Sequence, residues 1–202
     1  MPTTVSPAPR YAPTSLPVRL FSVDEYHRLI ADGYFASDER FELLEGLIVQ
    51  KMPRDPIHDA ALMIAEELLR ARLPEGWRVR VQSAITTADS EPEPDLAIVR
   101  GQPRDYLSRH PGPGDLAAVI EISNTTLHDD RTIKQRVYAR AGIATYWIIN
   151  LVDRHVEVYD DPSGDAAAPA YRRRSDFDAG AVVPLVIGNT QVRAVPVAEL
   201  LP

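Results

Sequence analysis

Hydrophobic positions along this chain change their spacing several times, and each change marks an element. Ser22-Val23-Asp24-Glu25 has the form of a capping box that opens a helix to about Ala31, closed at Gly33. Residues 57–73 give the clearest helix. Ile57, Ala61, Ile64, Ala65, Leu68 and Leu69 share one face there, with Glu66, Glu67 and Arg70 elsewhere. Residues 77–87 alternate and read as a strand. Residues 95–100 and 117–123 are apolar runs with the character of buried strands. Residues 125–141 then form a helix stopped by Gly142. A very apolar strand over 145–151 turns into a hairpin partner over 155–159. Residues 41–49 are ambiguous: a short helical or extended acidic segment, a turn at Gly46, then a strand. Residues 103–110 read as a short helical turn and 160–170 as a Pro/Gly/Ala loop. Short strands near 182–187 and 191–195 close the chain.

This order fits an α/β domain with a central mixed sheet flanked by helices. The run from Val119 through Tyr138 to Ile148 reads as a parallel crossover. With 202 residues, 45% of them hydrophobic, the chain suits one domain over residues 18–202. The Pro-, Thr- and Ser-containing stretch before it, residues 1–17, reads as a flexible N-terminal arm without the apolar region of a secretory signal. No apolar run is long enough to span a membrane. Cysteine is absent, which removes disulfides, thiolate metal sites and a cysteine nucleophile, and a cytoplasmic location is the default. The net charge of −7 argues against a general nucleic-acid coat protein. Arginines do cluster at 70–80, 100–109 and 172–174, where a phosphate-facing stripe competes with an ordinary mixed-charge surface.

Two acids stand out against the apolar strands. Asp95 follows Pro94 and opens 95–99, and Glu121 sits between Ile120 and Ile122. An unpaired buried carboxylate costs several kcal/mol, so each needs a partner. A divalent metal between neighbouring strands would supply one. If the two strands are antiparallel, Asp95 and Glu121 meet at one rim, and the Ile122 carbonyl adds a third oxygen of the kind hard Mg²⁺ prefers. A lysine beside such a site would orient water and balance developing negative charge.

The pattern Pro94-Asp95 … Glu121-x-Ser123 resembles the PD-(D/E)xK nuclease superfamily. More closely, the chain resembles the bacterial Uma-two family of restriction endonucleases. The residues that carry this are Phe41-Glu42-Leu43-Leu44-Glu45-Gly46, His58, the strands bearing Asp95 and Glu121, Asp130, Lys134, Tyr138 to Gly142, and Tyr146-Trp147-Ile148. The resemblance implies a restriction-endonuclease-like core, Mg²⁺ (with Mn²⁺ able to substitute), DNA as substrate and a homodimer. It also implies that Ser123 replaces the usual motif lysine while Lys134 reaches back from the next helix. Lys134 is one of only two lysines, with Lys51, beside twenty arginines. Glu42 is the leading third acidic ligand and Glu45 its competitor. His58, Gln82 and Ser123 are candidates for the substrate or outer shell. A serine nucleophile at Ser123 has no His-Asp partner in view.

Two functions follow. One is a Mg²⁺-dependent endonuclease using Asp95, Glu121 and Lys134. The other is a nuclease-fold protein that lost its chemistry and serves as a nucleic-acid-binding or assembly module. The direction of the Lys134 ammonium separates them: toward the Asp95/Glu121 rim favours catalysis, toward solvent favours the module.

Overall fold

The computed structural model describes residues 17–36, 38–188 and 190–202. The arm expected over residues 1–17 lies, except for Pro17, outside the described residues. The capping box forms as expected: the Ser22 side chain accepts from the Glu25 amide, and Glu25 reaches back to the Ser22 amide, opening α1 (Val23–Ala31).

Residues 41–50 are a β-hairpin, β1 (Phe41–Leu44) and β2 (Leu47–Gln50), which settles the ambiguous segment as extended. Its turn residues Glu45 and Gly46 both have positive φ, at 49° and 78°, as a tight two-residue hairpin turn requires. A Cβ on Gly46 would also come within 2.8 Å of the Leu20 Cβ, so glycine is needed there twice over.

Helix α2 (Pro56–Arg70) is capped by Asp55 and has Pro56 in its first turn. Strands β3 (Trp77–Val81), β4 (Leu96–Arg100), β5 (Leu116–Ser123), β6 (Thr145–Asn150), β7 (His155–Pro162) and β8 (Tyr171–Asp178) form one sheet in that order. Pairing is antiparallel throughout except between β5 and β6, which are parallel. The chain between those two runs through the helical crossover the pattern implies. Every residue of β5 is buried, so its near-continuous apolar run reflects cover on both faces.

One face of the sheet packs Leu96, Ile98, Ile120 and Trp147 against Ala65 and Leu69 of α2 and against the hairpin β9 (Val182–Ile187) and β10 (Thr190–Pro196). The opposite face packs Ala97, Val119, Tyr146 and Ile148 against Val137 and Tyr138 of the crossover helix and Leu44 of β1.

Three expectations need correction. The strand over 77–87 ends at Val81, because Gln82 has φ 43° and leaves the ladder. The loop over 160–170 is shorter than expected, since β7 continues to Pro162. Strand β8 falls where only an arginine cluster was read. As an edge strand exposed at most positions, it carries no apolar alternation to detect. Its arginines are paired: Arg172 with Asp161, Arg173 with Asp160 and Arg174 with Asp176, the mixed-charge surface rather than a stripe.

The crossover helix spans residues 127–140, and its central turn, Asp130–Lys134, is wound as a π-helix. Gln135 donates there to the Asp130 carbonyl five residues back. Glu157 of β7 anchors this helix. Its fully buried carboxylate accepts from Arg131 at 2.5 and 3.0 Å, Asn150 at 3.0 Å and Tyr159 at 2.6 Å.

Burial alone would raise the Glu157 pKa, but these donors and the Arg174 charge hold it at about 2, below its ordinary 4.5. A depressed carboxylate contributes stability that is complete above about 4.5 and lost as pH falls toward about 2. Glu157→Gln should therefore cost about 3 kcal/mol at neutral pH. In thermal melts, the gap between wild type and variant should close as pH is lowered through that window.

Candidate active site

The register of β4 on β5 pairs Leu96 with Ile120, which sets Asp95 opposite Glu121 at the end of the sheet. Each acid then completes the other strand's backbone. The Asp95 amide donates to Glu121 Oε2 at 3.1 Å, and the Ile122 amide donates to Asp95 Oδ2 at 3.0 Å. In a strand the N–H and C=O of one residue point the same way, so the Ile122 carbonyl is directed to the side where Asp95 sits. The antiparallel arrangement on which the site depends is present.

Lys134 lies in the π-wound turn and is buried, with its ammonium pointing into the rim. Its Nζ donates to Glu121 Oε1 at 3.2 Å and to Glu42 Oε2 at 3.0 Å. Four residues on, the Tyr138 hydroxyl donates to the same Glu121 oxygen at 2.6 Å. Glu42, on β1, also accepts from the Glu93 amide at 3.1 Å. The hairpin, the sheet and the crossover helix thus meet at one ammonium.

Around them sits a second ring. His58, in the first turn of α2, places Nε2 3.1 Å from Asp95 Oδ2. That helix start is itself fixed, since Asp55 accepts from the His58 amide at 2.9 Å and from the Asn124 side chain at 2.7 Å. Gln82 uses its unusual backbone to bring Nε2 within 3.3 Å of Asp95 Oδ1. Ser123 donates to Asp130 Oδ2 at 2.6 Å, and Thr126 to the same oxygen at 2.7 Å, so Ser123 has a local hydrogen-bonding role. Glu45 is off the rim, bound by Arg136 at 2.9 Å and Arg140 at 2.8 Å.

Asp130 and Tyr138 are the site residues to which the sequence reading gave no role. Their signal was their spacing: 130, 134 and 138 recur every four residues, so three polar side chains share a helix stripe that faces the core.

The electrostatics are lopsided. Glu42, Glu121 and Asp130 are buried and Asp95 nearly so, with Lys134 as the ammonium among them. Burial, with Asp95 and Asp130 nearby, raises Glu121 to about 7 despite Lys134. Burial would lower the lysine, but Glu121, Glu42 and Asp130 together raise it, so it stays protonated. Burial would raise Glu42 and Asp95 as well. Lys134 and Lys51 outweigh it for Glu42, and the His58, Ile122 and Gln82 hydrogen bonds outweigh it for Asp95, leaving both below their ordinary values. Burial opposes charge on His58, and Asp95 overcomes it to raise the imidazole.

This excess of carboxylate over cation suits a hard divalent ion at Asp95, Glu121 and the Ile122 carbonyl. Among the described residues, no three His, Asp or Glu side chains are gathered as a closed metal cage. Two carboxylates and a carbonyl are a donor set for an ion that keeps several waters, as Mg²⁺ does. Glu42, the expected third acidic ligand, accepts a hydrogen bond from Lys134 beside the rim. A cleft of about 330 Å³ opens onto this rim, walled by Leu47, Val49 and Met52 from the hairpin side and by Ile133 from the helix.

A protein-family model, Uma2, described as "Putative restriction endonuclease", matches residues 23–192. No curated protein matches the chain. Among solved structures, one titled as a "putative nuclease belonging to DUF820" from Anabaena variabilis ATCC 29413 superposes with a TM-score of 0.65. It is 18% identical, with 89% of this chain and 97% of that one covered, so the likeness is one of fold. Among the described residues, no helix is long and apolar enough to cross a membrane.

Removing the ammonium leaves two buried carboxylates facing each other. Lys134→Met should lower stability in urea denaturation by about 3 kcal/mol in metal-free protein. Adding Glu42→Gln should recover part of that loss, a coupling a double-mutant cycle measures.

Proposed function

The chain belongs to the Uma2 family, and from that premise we propose that it is a metal-dependent endonuclease hydrolysing DNA phosphodiester bonds at the Asp95–Glu121 rim. The observation that carries this reading is the Lys134 ammonium, buried and held at 3.2 Å from Glu121 on the strand pair that brings Asp95 and Glu121 together. An ammonium turned toward the acids rather than toward solvent favours catalysis over a binding module that had lost its chemistry.

Asp95, Glu121 and the Ile122 carbonyl would hold Mg²⁺, with Mn²⁺ as a substitute. When bound, the ion supplies an activated water and neutralises phosphate charge. The protein's own groups do the rest. Lys134 stays protonated, so it serves as a fixed positive charge and hydrogen-bond donor rather than as a base, orienting water and balancing the charge that grows on the phosphate. Glu42 and Tyr138 hold that ammonium and the Glu121 carboxylate in place. His58 and Gln82 occupy the outer lone pairs of Asp95 and fix its rotamer, the kind of support that commonly changes metal affinity by about 10- to 100-fold when removed. Leu47, Val49 and Met52, exposed on the hairpin side, give the cleft an apolar wall facing the rim.

Plasmid DNA should be cleaved with Mg²⁺ or Mn²⁺ and left intact with EDTA. Asp95→Ala and Glu121→Ala should each abolish cleavage, and full activity in both variants would discard the site. Lys134→Ala should reduce the rate far more than metal affinity. His58→Ala should do the reverse, raising the Mg²⁺ needed for half-maximal rate about tenfold or more. Calorimetric Mg²⁺ titration beside single-turnover cleavage separates the two.

A further inference from the structure

Most arginines of the described chain end in a salt bridge, including those of β8, α2 and the crossover helix. Arg28, Arg154 and Arg193 do not, nor do Arg78, Arg80, Arg100 and Arg104, among the described residues; these last four lie on or beside the β3–β4 pair, Arg78 and Arg80 on the sheet face of Ala97 and Val99, and Arg100, opposite Trp77, on the other. Arg78 and Arg80 lie on edge strand β3, Arg100 ends β4, and Arg104 sits in the short turn of helix Pro103–Tyr106. The turns are tied together, the Gly101 amide donating to the Gly76 carbonyl at 2.7 Å.

The guanidinium groups rest on neutral partners. Arg78 donates to the Gly101 carbonyl at 3.1 Å and to the Gln102 side chain. Arg100 lies 5.2 Å from the Trp77 ring centre and Arg80 5.8 Å from that of Tyr106, with the Arg80 Nε buried and unpartnered. Arg109, also 5.1 Å from the Tyr106 ring centre, is paired with Asp115 at 2.6 Å. Residues 75–80 and 100–115 carry five arginines and three carboxylates (Glu75, Asp105 and Asp115), in a chain whose net charge is −7.

We infer that this arginine cluster on β3 and the β4 turn is a binding surface for the phosphate backbone of a nucleic acid, leading the strand toward the Asp95–Glu121 rim. The inference deepens the nuclease reading and rests on it for the strand's destination. Strand β3 supplies the direction, because Gln82, the residue just past its last, touches Asp95 with its side chain. At about 3.3 Å per residue, Arg80 and Arg78 stand roughly 7 and 13 Å along the strand from Gln82. That is about two and four nucleotide steps at the 3.4 Å rise of one strand. Guanidinium forks without carboxylate partners suit phosphate oxygens, which such forks bind bidentately.

The test is fluorescence anisotropy of labelled single-stranded and duplex DNA in EDTA, titrated from about 50 to about 200 mM salt. Wild type should bind both with a salt-dependent constant. Arg78→Gln/Arg104→Gln should weaken binding about tenfold and reduce the log–log salt slope by about 1.4 on single strands or 1.8 on duplex. Arg104→Gln alone removes a side chain with no hydrogen bond among the described residues, so it should fold normally and give about half the slope change. Arg172→Gln/Arg173→Gln, on the opposite edge, should leave slope and affinity unchanged.

A salt slope indifferent to Arg78 and Arg104 overturns the surface, as does absence of binding in EDTA. So does an Arg78→Gln/Arg104→Gln variant that loses binding to phosphatidylserine vesicles in a co-sedimentation assay while its DNA binding stays intact. Metal-dependent cleavage whose KM ignores these substitutions would retire the surface and keep the nuclease. Arginine-dependent binding with no cleavage in any divalent metal would keep the surface and retire the nuclease.

Discussion

The structure turns on one buried ammonium. Lys134 joins three parts of the fold: the β1–β2 hairpin through Glu42, the central sheet through Glu121, and the crossover helix that carries it. A buried charge pair of this kind is weak evidence for stability, because desolvation offsets much of the attraction. Its cost is understandable if the site needs a fixed positive charge beside two strand-borne acids. The surrounding donors serve the same end. Tyr138, the Asp95 amide and the Glu93 amide satisfy remaining oxygens, so the carboxylates are held in single orientations rather than left to hydrate.

Placing that ammonium requires a particular helix. The π-wound turn over Asp130–Lys134 leaves the Asp130 carbonyl free to accept from both Gln135 and the Tyr146 hydroxyl, the latter at 3.1 Å. The Asp130 carboxylate meanwhile collects Ser123 and Thr126. The next residue, Arg131, is clamped by Glu157 on β7. The same few residues of helix therefore fix their phase against β5, β6 and β7 at once. Departures from regular α-helix are often found at functional sites, where a side chain must be re-aimed.

Charge is distributed by the same logic across the molecule. The rim gathers carboxylates in excess of cations, which a divalent ion would answer, while β3 and the turn after β4 carry arginines that form no salt bridge. On β8, Arg172, Arg173 and Arg174 are balanced by Asp161 and Asp160 of β7 and by Asp176, a charged edge that discourages pairing with another chain. An overall charge of −7 conceals this division. Only the partners of each arginine, and not its presence, distinguish a solvated surface from one prepared for a polyanion.

Much of the fold was legible in the chain. Capping residues, the apolar stripe of α2, the buried runs at β4 to β6 and the crossover between β5 and β6 follow from spacing and from the cost of exposing apolar groups. The acids Asp95 and Glu121 stood out for the same reason, being charged residues on strands that seek burial. Strand β8 and the early end of β3 were not legible. The first has no apolar period, and the second depends on a positive φ at Gln82 that serves Asp95. Nor could spacing say that Glu42 sits on Lys134, that Glu45 is drawn off by Arg136 and Arg140, or that Asp130 and Tyr138 belong to the site. Those outcomes depend on contacts between residues tens of positions apart, Lys134 and Glu42 being 92 apart. The sequence by itself determined which side chains must be buried or paired. Which partner each one meets was decided by tertiary structure, because a charge in a low-dielectric interior is satisfied by whatever the packing of separate elements brings within hydrogen-bonding distance.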